Sequence, residues 1–303
     1  MNDLHEDDFR PVGHLRRLAW ALLLGLAVLA PAAAQDAAAL KARHSELQDS
    51  LAKNQFGRPL YIESAQTSGD LKGDIYSVIE HPFATVQQAL RPADHWCDIL
   101  ILHLNVKGCR SSGNAGANTI ALSVGKKFDQ PADDAYKLEF IYRVTVASAD
   151  YLQVQMSSAE GPFGTRDYRI RLEAVPIDAR RTFIHMSYSY GYGFSARMAM
   201  QVYLNTIGRE KVGFSFADRT PEGKPMYIGG VLGLVERNTM RYYLAIDSYL
   251  MAYSLPPAEQ TEKSIQTWYA STERYATQLH EMNRNEYVEM KRNEIKRQKS
   301  EGQ

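Results

Sequence analysis

Tyr136-Lys-Leu-Glu-Phe-Ile-Tyr-Arg-Val-Thr-Val146 alternates apolar and polar side chains with a period of two, and the rest of the chain is read outward from it. Tyr136, Leu138, Phe140, Tyr142, Val144 and Val146 share one face. Lys137, Glu139, Arg143 and Thr145 share the other, with Ile141 alone breaking the pattern. A period of two places successive side chains on opposite faces of a strand. Downstream, Leu152, Val154 and Met156 alternate with Gln153 and Gln155. Tyr168, Ile170 and Leu172 alternate with Arg169, Arg171 and Glu173. Ile184, Met186, Tyr188, Tyr190 and Tyr192 stand opposite His185, Ser187 and Ser189. Short links such as Ala147-Ser-Ala-Asp150 and Pro176-Ile-Asp-Ala-Arg180 join these runs, so they predict an antiparallel meander with one buried and one wet face.

Upstream, Pro59–Ser64 and Gly73–Ile79 read as strands, and His81–Leu90 as a helix with Pro82 near its first turn. The only cysteines, Cys97 and Cys109, constrain the segment between them. Were that segment extended, the sulfurs would stand about 40 Å apart, too far for a bond. A helix over about 94–104, after which the chain turns back at Asn105, brings them together. A Cys97–Cys109 disulfide is expected, the other reading being two buried thiols. Strands over 106–111 and 119–127 come next, linked by Ser112-Gly-Asn-Ala-Gly-Ala-Asn118.

The compartment that favours a disulfide is read from the other end. Leu18–Ala30 is apolar, but shorter than the roughly 20 residues a spanning helix needs. Arg16 and Arg17 precede it and Pro31-Ala-Ala-Ala34 comes after it, the pattern of a secretory signal peptide cleaved after Ala34. An uncleaved anchor is the other reading. Asp3, Glu6, Asp7 and Asp8 sit where such a peptide wants positive charge, which a true start near Val12 would explain. The 303 residues carry 35 basic and 35 acidic side chains, and 45% are hydrophobic. Removing residues 1–34 takes away three basic and four acidic groups and leaves 32 against 31. A nucleic-acid-binding surface, which needs a marked cationic excess, is excluded as an expectation. A periplasmic protein is expected.

The last part reads as helical. Phe194–Ile207 comes after the final strand, with Ser195 able to cap it and Met198, Val202 and Ile207 along one stripe. Over about 231–253, Leu234, Val235, Asn238, Tyr242, Ile246, Tyr249 and Tyr253 share a side, and Pro256-Pro257 ends the helix. Glu236-Arg-Asn-Thr-Met-Arg-Tyr-Tyr243 is a dense polar-aromatic cluster on this helix, and Asn238, on the apolar stripe, is read as docking the helix to the sheet, the other reading being that it reaches the cavity. A long polar helix over 258–300 is expected to fray beyond Met290, where its apolar stripe is lost. The chain therefore divides into a signal peptide (1–34), an N-terminal helix and lead-in strand (35–69), a central domain (70–255) and a polar helical extension (256–303).

The stretch Ser77-Val-Ile-Glu-His-Pro-Phe-Ala-Thr-Val-Gln-Gln-Ala-Leu90, with Trp96 beyond it, resembles the START-like, polyketide cyclase (helix-grip) superfamily, in which a first strand leads into Pro-aromatic-x-x-Val-(x)3-Leu and then a Trp. The likeness covers about residues 70–216. It implies an α+β fold in which a curved antiparallel sheet of six or seven strands grips a long helix, and which helix does so is left open. It also implies an apolar small molecule or lipid held between the two. Phe140, Tyr142, Tyr168, Met186, Tyr188, Tyr190 and Tyr192 would line that site, or else form a packed core. No cofactor or metal is implied: there is no His-x-x-x-His pair, no dinucleotide-binding glycine fingerprint and no Gly-x-Ser-x-Gly elbow. Two alternatives stay open. One is a cyclase or hydratase using His103 with Asp98, Asp167 and a tyrosine; the other is an envelope interaction protein acting through its C-terminal helix.

Overall fold

The computed structural model describes residues 32–114, 117–206 and 208–301. Most of the expected signal peptide, and Ile207, lie outside the described residues. Two helices, α1 (Ala32–Glu46) and α2 (Gln48–Ala52), lead into β1 (Leu60–Gln66) and β2 (Asp70–Ile79). Helices α3 (Phe83–Leu90) and α4 (Ala93–Leu100) then carry the chain to β3 (Val106–Asn114). From there it meanders back through β4 (Ala117–Val124), β5 (Tyr136–Ala147), β6 (Leu152–Glu160), β7 (Thr165–Pro176) and β8 (Thr182–Tyr192). These strands form one antiparallel sheet in the order β1-β2-β8-β7-β6-β5-β4-β3. The lead-in strand is thus a true sheet edge, paired to β2 from Leu60↔Ser77 to Gln66↔Leu71, and the sheet has eight strands.

After β8 come α5 (Phe194–Asn205), a hairpin of β9 (Phe216–Arg219) and β10 (Pro225–Tyr227), and α6 (Gly230–Tyr253). Helices α7 (Pro257–Glu273), α8 (Ala276–Leu279) and α9 (Arg284–Glu301) close the chain. The gripped helix is α6, which lies across β1, β2 and β8. Arg58 just before β1 donates twice to Asp247 of α6, at 2.9 and 3.0 Å, and the hydroxyls of Ser77 and Tyr243 meet at 2.9 Å. At Gly73 of β2 a Cβ would strike the Thr239 side chain, so the crossing needs glycine there. Asn238 is only half-buried; Arg58, Ser77 and Gly73 do the docking instead.

The disulfide forms, tying α4 to β3. Four other expectations need correction. The outer sheet face is not uniformly wet: Leu40, Leu47 and Leu51 of the N-terminal segment pack on Tyr76, Val78, Val175 and Phe183. In β5 the alternation fails at a bulge between Val144 and Val146, which sends Val146 to the outer cluster, while Tyr136 and Val144 stay exposed. The α5 stripe faces solvent, with Met198 46% and Val202 61% exposed, because no layer lies above it among the described residues. Its first turn is led by Gly193, and the Ser195 hydroxyl donates to Phe163 O instead of capping the helix.

Nor does the C-terminal end fray. Lys291 and Glu294 of α9 are fully buried against Lys107, so an ionic network replaces the missing apolar stripe. Lys291 also donates to the His103 and Val106 carbonyls at 2.7 and 3.0 Å. Burial, only partly offset by Glu294, lowers Lys291 to about 8.

Candidate functional site

Period-two alternation on β5, β7 and β8 places the rings where the sequence expects them, on the inner face under α5 and α6. Tyr168 stacks on Tyr190 with centroids 5.2 Å apart, Tyr188 lies 5.6 Å from Tyr190, and Phe140 meets Tyr168 edge-on at 6.3 Å. Tyr242 of α6 joins the layer at 5.4 Å from Tyr188. All the strand residues named for the site are buried. They do not form one surface.

Tyr142 is a tie: its hydroxyl donates to Arg91 O at 2.6 Å, holding β5 to the α3–α4 junction. Met186 lies in packed core, in register with Leu172 and Ile75. Tyr192 lines a groove of about 450 Å³ with Gln66, Ser68, Arg197, Met200 and Val231, between the β1–β2 turn, α5 and the start of α6. Met200 reaches from that groove towards the Tyr190 hydroxyl, 3.9 Å from its sulfur. The groove and the tyrosine layer therefore adjoin through Met200.

The hydroxyls divide into two groups. Tyr192 donates to Thr67 O and accepts from Gln66, and Tyr168 donates to Thr165. The Tyr188 and Tyr242 hydroxyls make no hydrogen bond among the described residues. Burial pushes the pKa of Tyr188 well above the usual tyrosine value and raises Tyr190 and Tyr242 as well, so these phenols stay protonated and able to donate. These two hydroxyls are donors that no protein group occupies among the described residues.

Beside this layer lies His103, which stacks on Tyr242 at 4.7 Å. Sequence reasoning placed it in a helix; it sits in the turn after α4. Its Nδ1 accepts the Asn105 N–H at 3.2 Å, which puts the ring proton on Nε2. Burial first, then the charges of Arg241, Lys291, Lys127 and Lys107, hold its pKa well below 6.5, so it is neutral. The expected acid–base set does not assemble. Asp98 faces His95, Asp94 and Lys299, and Asp167 pairs with Arg166 at the surface. Neither acid meets His103. No group of three or more His, Cys, Asp or Glu side chains able to hold a metal occurs among the described residues.

The sequence singles out Glu236–Tyr243 as a dense polar-aromatic run on a helix, but not which of its polar residues are buried. Glu236, Arg237 and Arg241 are buried, and Glu236 accepts from Ser64 Oγ and from the N–H groups of Phe214 and Ser215. No signal in a single sequence separates such residues from an ordinary wet helix face. Phe194 at the start of α5 (81% exposed) and Phe163 (78% exposed), the latter in the left-handed region at φ 58°, are large apolar side chains left on the surface. The 162–164 turn that carries Phe163 packs against α5.

Two helices between the first gripping strand and the far edge, a meander back, and a long helix laid across the sheet form a helix-grip arrangement. No family model matches the chain, and no curated protein matches it. Among solved structures, it is similar to norcoclaurine synthase from Thalictrum flavum, at 14% identity and TM-score 0.33, over 46% of this chain and 84% of that one. Human StAR-related lipid transfer protein 5 is 10% identical, at TM-score 0.31, over 57% of this chain and 89% of that one. The Zhui aromatase/cyclase from Streptomyces is 11% identical, at TM-score 0.30, over 45% of this chain and 73% of that one.

Proposed function

We propose that the protein is a secreted, periplasmic carrier that holds a hydrophobic small molecule or lipid between sheet and α6 without transforming it. The observation that carries this reading is the buried tyrosine layer beneath the α5–α6 groove, with the Tyr188 and Tyr242 hydroxyls left without partners among the described residues. Aromatic bodies supply apolar contact, and free phenols supply handles that orient a ligand. Entry runs under α5, which among the described residues is tied down by Ser195 to Phe163 O, Arg197 to Ser68 O and the Tyr190 hydroxyl to the Met200 sulfur. A carrier reading is favoured over catalysis because, among the described residues, no acid stands beside His103 to orient it as a base.

Native mass spectrometry of protein taken gently from a periplasmic fraction tests the proposal. A stoichiometric apolar molecule released on denaturation is the expected result. A chain without such a molecule, together with failure to bind any apolar probe in solution, overturns it. Recovery of the chain from the cytoplasm with residues 1–34 intact would overturn the secreted part alone.

A further inference from the structure

Three side-chain donors on one flank of α6 are buried and have no acceptor among the described residues: Arg237 Nη2, Arg241 Nε and His103 Nε2. All three residues are at least nine-tenths buried. Leaving a buried donor unmet costs about 1–3 kcal/mol for a neutral group and more for a charged one. Three such donors together are far from the usual economy of an interior.

They are also neighbours. Arg237 and Arg241 stand one helical turn apart, which puts their Cβ atoms about 6 Å from each other. His103 stacks on Tyr242, the residue next to Arg241. The electrostatics of this flank are one-sided. Glu281 accepts from Arg241 at 2.8 Å and from Lys127 at 2.6 Å, with Lys211 at 3.8 Å, so one carboxylate serves three cations. Arg237 has only the Val212 carbonyl, at 3.1 Å. Glu236 on the same helix is already committed to three donors. Burial, with Arg237 adding to it, lowers the pKa of Arg241, as expected where cations are short of counter-charge.

We infer that this flank, with Arg237, Arg241 and His103 as donors, receives the anionic oxygen head of the bound molecule, a carboxylate, phosphate or sulfonate, while the adjoining tyrosines hold its apolar body. The inference rests on the carrier reading and narrows it to acidic amphiphiles. Guanidinium groups suit such heads because their N–H fork matches two oxygens at once. The neutral His103 adds a donor without adding charge. Continuity from head to body runs along His103, Tyr242 and Tyr188, at 4.7 and 5.4 Å.

The test uses two fluorescent probes with the same arylaminonaphthalene body, 8-anilinonaphthalene-1-sulfonate and the uncharged N-phenyl-1-naphthylamine. The purified protein is titrated with each at neutral pH, and its melting is measured with inorganic phosphate alone. The sulfonate is expected to bind at least tenfold more tightly. Arg237→Gln should remove that preference, and His103→Gln should weaken it severalfold. Equal binding of the two probes by the unsubstituted protein overturns the head-group site and leaves the carrier reading intact; this comparison needs no variant to fold. Binding of neither probe overturns both readings. Stabilisation by inorganic phosphate together with equal probe affinities places a free anion on the donors, and that also overturns the head-group site.

Discussion

The two faces of the sheet both bury polar groups, and they treat them in opposite ways. On the outer face, under α1, His185 lies between two carboxylates, with Asp74 at 2.8 Å from Nε2 and Glu173 at 2.8 Å from Nδ1. Tyr151 donates to Glu173 at 2.6 Å, Gln153 donates to Tyr151, and Tyr76 stacks on His185 at 4.3 Å. Every member has a partner. On the inner face, His103, Arg237, Arg241, Tyr188 and Tyr242 each hold a donor that meets nothing among the described residues. Both faces are buried and both carry a histidine and tyrosines, so burial alone does not distinguish a structural cluster from a site. Satisfaction does. The closed network is architecture, and the open one is where a missing group belongs.

Breaking the outer network should have the largest effect. His185→Ala leaves Asp74 and Glu173 buried and facing each other, and it should cost about 3–5 kcal/mol in urea unfolding. A loss under about 1 kcal/mol would show that the outer cluster is no more structural than the inner one. The pH profile sharpens the point. Burial disfavours the His185 charge, but the two carboxylates outweigh it and raise its pKa above 6.5. Its contribution is therefore complete below pH 6.5 and lost as pH rises through the folded value. Burial likewise works against the carboxylates, yet bonding to His185 lowers Asp74 below 3.8 and Glu173 from 4.5 to about 2. Their contribution is present above the unfolded values and lost as pH falls through the folded ones. The network should thus be strongest between about pH 4.5 and 6.5, and melting of the His185→Gln variant should lose the alkaline fall.

A matched pair of phenol deletions comes next. Tyr151→Phe removes a hydroxyl bonded to a carboxylate and should cost about 1.5–3 kcal/mol. Tyr188→Phe removes one with no partner; it should change stability by less than about 0.5 kcal/mol, or raise it, while weakening the bound molecule. Equal costs at the two positions would abolish the distinction between the faces.

How far this was legible in the sequence depends on the range of the cause. The aromatic layer was legible because a strand's period of two is local, and β5, β7 and β8 each display it in their own residues. The disulfide was legible because two cysteines twelve apart admit few geometries. The cover on His185 was not, since α1 lies more than a hundred residues upstream and nothing in β8 announces it. The α5 stripe misled for the same reason in reverse: Met198 and Val202 have helical spacing but no partner layer. Docking of α9 was hidden because Lys291 and Glu294 read as a wet face until Lys107 is placed opposite them. The polar-aromatic run Glu236–Tyr243 was legible, but the burial of Arg237 and Arg241 within it was not, since that depends on what packs over the helix.

Placement of α9 beside β3 has one further consequence. β3 is the last strand of an open sheet, and such an edge invites another chain to add itself. Here Gln298 accepts the Cys109 N–H at 2.8 Å and Lys291 donates to Val106 O, so side chains of α9 occupy backbone groups that a foreign strand would need. The helix is in this sense a guard against self-association. Shortening the chain before Arg284 should make the protein aggregate edge to edge.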